Sequence, residues 1–207
     1  EPAMSDRLLL TLQDRLGWRF SQPDLLTRAL SHRSVGADHN ERLEFLGDAV
    51  LQTAVSALLY QQFQDCDEGG LTRIRAHLVR EDSLARIARD LGLSAVLRLS
   101  EGEARGGGAQ RPSILADALE ALIGAAYLDG GYAVAQNVVQ RLFADVVTSA
   151  SVEDWRKDPK TALQEWLQAR KHPVPEYRIA ATRGQAHAQT FEVECVVEAL
   201  GHCTTGE

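Results

Sequence analysis

NERLEFLGDAVL, residues 40–51, is the stretch on which the reading of the whole chain turns. Leu43, Leu46, Val50 and Leu51 recur at the spacing of three and four that an apolar helical stripe requires. Glu41, Glu44 and Asp48 fall at i, i+3 and i+7 of the same helix. One face therefore carries three carboxylates, with i,i+3 neighbours only about 5 to 6 Å apart at Cβ. Upstream, Leu8, Leu9, Leu12 and Leu16 repeat the helical spacing, and downstream so do Leu71, Ile74 and Leu78. From Ser5 to Thr148 the pattern predicts helix nearly throughout, broken at Gly17, Gln22-Pro23, Val35 to His39, Asp65 to Gly70, Gly102 to Pro112 and Asp129-Gly130-Gly131. Between the last two breaks lies a helix from Ser113 to Leu128, with Ser113 as its expected N-cap behind Pro112.

After Ser149 the texture changes. Residues 151–157 are short, polar and charged, and read as a linker. Thr161 to Arg170 is helical by Leu163, Trp166 and Leu167, and His172-Pro173-Val174-Pro175 ends that helix. Tyr177 to Ala181 and Thr190 to Ala199 then alternate as half-buried strands do, with Phe191, Val193, Cys195 and Val197 on one face. The expected fold is mainly α: an all-helical domain over residues 5–150, then a small α+β module over 158–207. The glycine run Gly106-Gly107-Gly108 lacks the Lys-Ser/Thr of a phosphate-binding P-loop and reads as an ordinary loop.

Composition excludes several classes. With 44% apolar and 25% charged residues in 207, the chain has the balance of an average globular protein with room for a real core. Unbroken apolar stretches such as Ala121 to Leu128 fall short of the ~18 residues of a bilayer span. No signal-peptide pattern opens the chain, so a cytoplasmic protein without membrane partners is expected. Three cysteines, Cys66, Cys195 and Cys203, lack metal-ligand spacing and read as reduced thiols. The net charge of −7 is not that of a strongly basic nucleic-acid binder. A polyanionic partner must then be met by local basic patches, bound metal ions or both.

The acidic residues have a second half. In ILADALEALIGAAYLDGGY, Asp117 and Glu120 repeat the i,i+3 spacing, and their neighbours Leu115, Ala118, Leu119, Ala121, Leu122 and Ile123 are apolar. Stacked like charges destabilise a helix, and a buried acid needs a partner. For Glu41, Glu44 and Asp48 alone, a solvated acidic face beside Arg42 is the simpler account. For Asp117 and Glu120 that account is weaker, because the helix offers little polar face. Taken together, the pairs favour a metal site. Carboxylate oxygens without His or Cys suit magnesium or manganese, which bind through a few carboxylates plus substrate phosphate. Two such ions roughly 3.5 to 4 Å apart can activate a water and stabilise a leaving oxygen. Phosphoryl chemistry is the expectation; a small-molecule phosphohydrolase remains an alternative, one that leaves the C-terminal module unexplained.

On these segments, together with DEGGLTRIRAHLVRE at residues 67–81, the sequence resembles the ribonuclease III family of double-stranded-RNA endonucleases over nearly its whole length. The resemblance implies that Glu44, Asp48, Asp117 and Glu120 are metal ligands, with Asp48 and Glu120 catalytic, and that Glu41 and Glu68 line the same acidic valley. Magnesium would be the cofactor, with manganese able to substitute. It implies a homodimer in which Phe45 inserts into the partner subunit, each site cutting one strand to leave 5′-phosphates, 3′-hydroxyls and two-nucleotide 3′ overhangs. An ordinary core phenylalanine is the alternative for Phe45, and an RNA-binding regulator that does not cut is the alternative for the protein. DPKTALQEWLQARKHPVPEYRIAATRGQAHAQTFEVECVV is similar to the first part of a double-stranded-RNA-binding domain. Such domains span ~16 bp and read shape and 2′-hydroxyls. By position, Thr161, Gln164, Glu165 and His187 would contact RNA. The family's basic final helix is not found before Glu207, so the module is expected to be incomplete at its C-terminus.

Overall fold

The computed structural model describes residues 4–149, 159–183 and 189–206. The chain divides into two units, Glu1–Trp155 and Arg156–Glu207. The first is helical: α1 (Met4–Leu16), α2 (Pro23–Ala29), α3 (Glu41–Gln62), α4 (Glu68–Leu78), α5 (Glu81–Asp90), α6 (Glu101–Arg105), α7 (Pro112–Gly130) and α8 (Tyr132–Ser149). The linker expected at residues 151–157 lies outside the described residues.

α7 is the centre of this unit because it is apolar almost all round, and such a helix must be enclosed. Eleven of its nineteen residues are buried, among them Leu115, Leu119, Leu122 and Ile123. It packs against α2, α3, α5 and α8. α3 is the one described helix with the length and mean hydropathy to cross a membrane. Its apolar residues have a core role instead: Leu43, Val50, Leu51, Ala54, Val55 and Leu59 are all buried.

α3 and α7 approach each other very closely in the core. A Cβ added at Gly47 would lie 1.7 Å from the backbone oxygen of Glu120, and one at Gly124 would lie 2.4 Å from the oxygen of Leu43. No side chain fits at either place, so the two helices touch backbone to backbone. Asn40 fixes where α3 begins. It is buried, its Nδ2 donates to the oxygen of Ala29 at 3.1 Å, and its backbone N–H donates to the oxygen of Ser31 at 2.9 Å.

Several boundaries differ from the sequence reading. α7 starts one residue early: Pro112 occupies its first turn and Arg111, not Ser113, is the N-cap. Proline suits that place because its missing N–H would have no intrahelical partner there. Gly69 and Gly70 belong to α4, whose N-cap Asp67 accepts from the N–H of Gly70 at 2.7 Å. α6, which starts at Glu101, runs into the break at residues 102–112, and a single 3-10 turn, Gly108–Gln110, lies within it.

The second unit is α9 (Pro159–Ala169) followed by an antiparallel sheet in the order β1 (Glu176–Arg183), β2 (Thr190–Val197), β3 (His202–Gly206). The mainly-α chain with a small α+β module is therefore as expected. β2 ends two residues before the predicted Ala199, because residues 198–200 form a 3-10 turn and Gly201, at φ +63°, reverses the chain into β3. All three cysteines are free.

Candidate active site

Where α3 and α7 touch, their acidic faces meet. Glu44 lies one turn before Gly47, Glu120 and Asp117 lie one and two turns before Gly124, and carboxylate oxygens of Glu44, Asp117 and Glu120 come within 4.8 Å of one another. Leucines would hold the helices apart at an ordinary packing distance of 8–10 Å. The glycine contact removes that spacer, which is how residues more than seventy positions apart share one site.

The electrostatics of this cluster are unfavourable as it stands. Glu120 is pushed up to about 8, first by burial and then by Asp48, Glu44 and Asp117. Glu44 is raised by burial and by Asp117, Glu41 and Asp48. Asp117 is raised by burial, Glu81 and Glu41, and pulled back by His32 and Arg33. Three half-buried carboxylates with oxygens this close fit a divalent cation that takes oxygen ligands, and a cation would relieve both the burial cost and the mutual repulsion.

The other predicted residues fall at different distances from this centre. Asp48 is exposed and accepts from Nε2 of Gln52 at 3.3 Å. It stands outside the three-carboxylate group, yet it is the strongest charge acting on Glu120. Glu41 sits beside the group, 3.5 Å from Nη1 of Arg33. It lines a cavity of about 200 Å³ together with Glu44 and Asp117. Glu68 is not brought there within one chain: it opens α4, accepts from Thr72 Oγ1 at 2.8 Å, and lines a separate cavity with Tyr60 and Arg75 at the far end of α3. Phe45 is 82% exposed. It borders an open groove of about 820 Å³ with Leu43, Leu46 and Leu128. In the second unit, Gln164 and Glu165 are exposed on α9, which also carries Thr161, whereas His187 lies outside the described residues.

Sequence reasoning missed Gly47, Gly124 and Asn40. An isolated glycine inside a strongly helical pattern is the available signal, since it costs about 1 kcal/mol relative to alanine and calls for a packing reason.

A helical domain with a carboxylate centre, followed by a helix and three-stranded sheet, is the combination to be matched. Residues 22–146 match the Ribonuclease-III-like family model, and residues 159–207 match the double-stranded RNA binding motif. The chain belongs to the ribonuclease III family. Ribonuclease 3 of Albidiferax ferrireducens is 59% identical over 96% of this chain and 87% of its own length. Ribonuclease 3 of Variovorax paradoxus is 58% identical over 93% and 85%. Among solved structures, a nuclease domain of ribonuclease III from Campylobacter jejuni, described with reference to a region involved in dimer formation, superposes with a TM-score of 0.63 at 43% identity, over 65% of this chain and 95% of its own.

Proposed function

We propose that this protein is a magnesium-dependent endonuclease that hydrolyses phosphodiester bonds of double-stranded RNA, acting in the cytoplasm on ribosomal RNA precursors and other structured RNA. The observation that carries the reading is the convergence of Glu44, Asp117 and Glu120 at the α3–α7 crossing. With Asp48 beside them, these residues would hold the metal, with Asp48 and Glu120 as the catalytic pair and Glu41 as a further acidic residue of the valley, to which Glu68 would be added from a second copy of the chain. Magnesium or manganese bound there, as one ion or two, would supply Lewis acidity and a water nucleophile.

The chain's own residues do the rest. Burial of the carboxylates keeps their charges from being screened by solvent, so that the site favours a cation strongly over an empty state. The bound positive charge in turn makes the locality tolerable to a phosphodiester despite the net charge of −7. Products would carry 5′-phosphates, 3′-hydroxyls and two-nucleotide 3′ overhangs, which requires two sites and hence a homodimer. Phe45, exposed beside an apolar-lined groove, supports that assembly: a second copy would cover both. The division of labour is a nuclease domain at residues 5–150, a linker at 151–157 and an RNA-binding module at 158–207, in which Thr161, Gln164, Glu165 and His187 contact the duplex.

The test is incubation of a long duplex RNA, and of duplex DNA of the same sequence, with magnesium, calcium or chelator, followed by sizing. RNA should be cut with magnesium, little DNA should be cut, and chelator should stop the reaction. Equal cutting in chelator would overturn the proposal.

A further inference from the structure

The cavity of about 200 Å³ beside the carboxylate centre has a second chemical character. Besides Glu44 and Asp117 it is lined by His32, Arg33 and Arg111. An acidic metal centre has no need of arginines, and their presence in the same cavity points to an anion that must sit next to a cation.

Each of the three is held in place. Nη1 of Arg111 lies 2.7 Å from Oε1 of Glu103. That oxygen is buried and has no aligned hydrogen-bond donor, so the contact is ionic. Glu103 itself is fixed: its N–H donates to Ser100 Oγ at 3.2 Å, and its carboxylate lies against Gly108, where an added Cβ would come within 2.9 Å of Oε1. Arg33 is placed by Glu41 at 3.5 Å. His32 accepts the N–H of Ser34 at Nδ1, 3.2 Å away, which leaves the proton on Nε2. A guanidinium carries five N–H donors, so one carboxylate contact leaves others for an oxyanion. Ser113 and Ile114, in the first turn of α7, line the same cavity, and α7 has no side-chain cap. The positive end of that helix adds to the same field.

We infer that this cavity is a phosphate subsite for the RNA strand being cut, with Arg111 and Arg33 donating to nonbridging oxygens of a backbone phosphate beside the carboxylate centre. The inference deepens the proposed function and rests on it. It also accounts for how an acidic protein meets a polyanion: part of the needed positive charge is built into the chain, at the place where the strand must be held in register.

The experiment measures binding of a duplex RNA to the 207-residue chain in calcium, as a non-cleaving divalent ion, across a salt series. Variants are Arg111→Gln, Arg33→Gln, the double variant and Arg111→Lys, with cutting by the unaltered protein in magnesium run alongside. Each glutamine variant should weaken binding about tenfold and lower the slope of log affinity against log salt by about one. Arg111→Lys should recover the slope but not all of the affinity, because the planar fork is lost. Unchanged affinity and slope would overturn the subsite, and so would weaker binding at an unchanged slope, which marks a structural effect. Should Arg111→Gln fail to fold, the exposed Arg33 carries the same test. Failure of the unaltered protein to cut RNA would count against the proposed function; intact cutting with unaffected arginine variants would count against the subsite alone.

Discussion

Glu120 concentrates the site's electrostatics in one side chain. Its carboxyl is raised from an ordinary 4.5 to about 8 by burial and three neighbouring acids, so without a cation it holds its proton near neutrality. A carboxyl raised in this way contributes stability that is complete below the unfolded value and is lost as pH climbs through the folded one. For the metal-free protein, the melting temperature relative to Glu120→Gln should therefore fall as pH rises between about 4.5 and 8. The gain in melting temperature on adding magnesium should grow over the same window, since the ion displaces that proton. A difference between the two proteins that stays flat with pH would contradict this assignment. The same substitution should abolish cutting while sparing RNA binding, a loss of several kcal/mol in transition-state stabilisation. Near-normal rates at limiting magnesium would remove Glu120 from the ligand set. The pairing of Asp117 and Glu120 was legible in the sequence because an otherwise apolar helix offers a charged pair little polar face to be solvated on. The position of Asp48, turned toward Gln52, was not legible, because side-chain direction on an exposed face is not set by spacing.

The helix pair α3 and α7 is the element that turns spacing into a site. Gly47→Ala would place a methyl carbon at the backbone oxygen of Glu120, 1.7 Å away, where no rotamer offers relief. The helices must separate, at ~3 kcal/mol or more. Urea denaturation should register that loss, and cutting should fall with it as Glu44 parts from Asp117 and Glu120. Unchanged stability and activity would mean that the contact does not hold the site together. The stripes of Leu43, Val50 and Leu51 foretold that α3 packs on something, but periodicity does not say on what, and the glycines that choose α7 are silent in an apolar count. Element ends were less legible for a local reason. Ser113 has the chemistry of an N-cap, yet Pro112 ahead of it is already compatible with the first turn, so the helix begins there. Likewise Glu198 and Ala199 continue the alternation of β2, and only the turn at residues 198–200 with the reversal at Gly201 decides that the strand has ended.

For the whole molecule, the exposed Phe45 and the groove beside it bear on assembly. Leu43 and Leu46 take the inward positions around it, so an aromatic left 82% exposed has no place in its own core. Phe45→Ala should shift sedimentation toward monomer, at ~2 kcal/mol or more, as other large interface truncations do. An unchanged dimer at low concentration would contradict the interface. The order of the two units was legible as a change of texture after Ser149, whereas a groove assembled from residues as distant as Arg28 and Leu128 could not be read from either segment. The central claim, that α3 and α7 together build a metal centre, is tested most directly by anomalous diffraction at the manganese edge from crystals grown with manganese. The expected result is a peak bounded by Glu44, Asp117 and Glu120, lost or weakened in Glu120→Gln. No peak at that place, or one indifferent to the substitution, would contradict it.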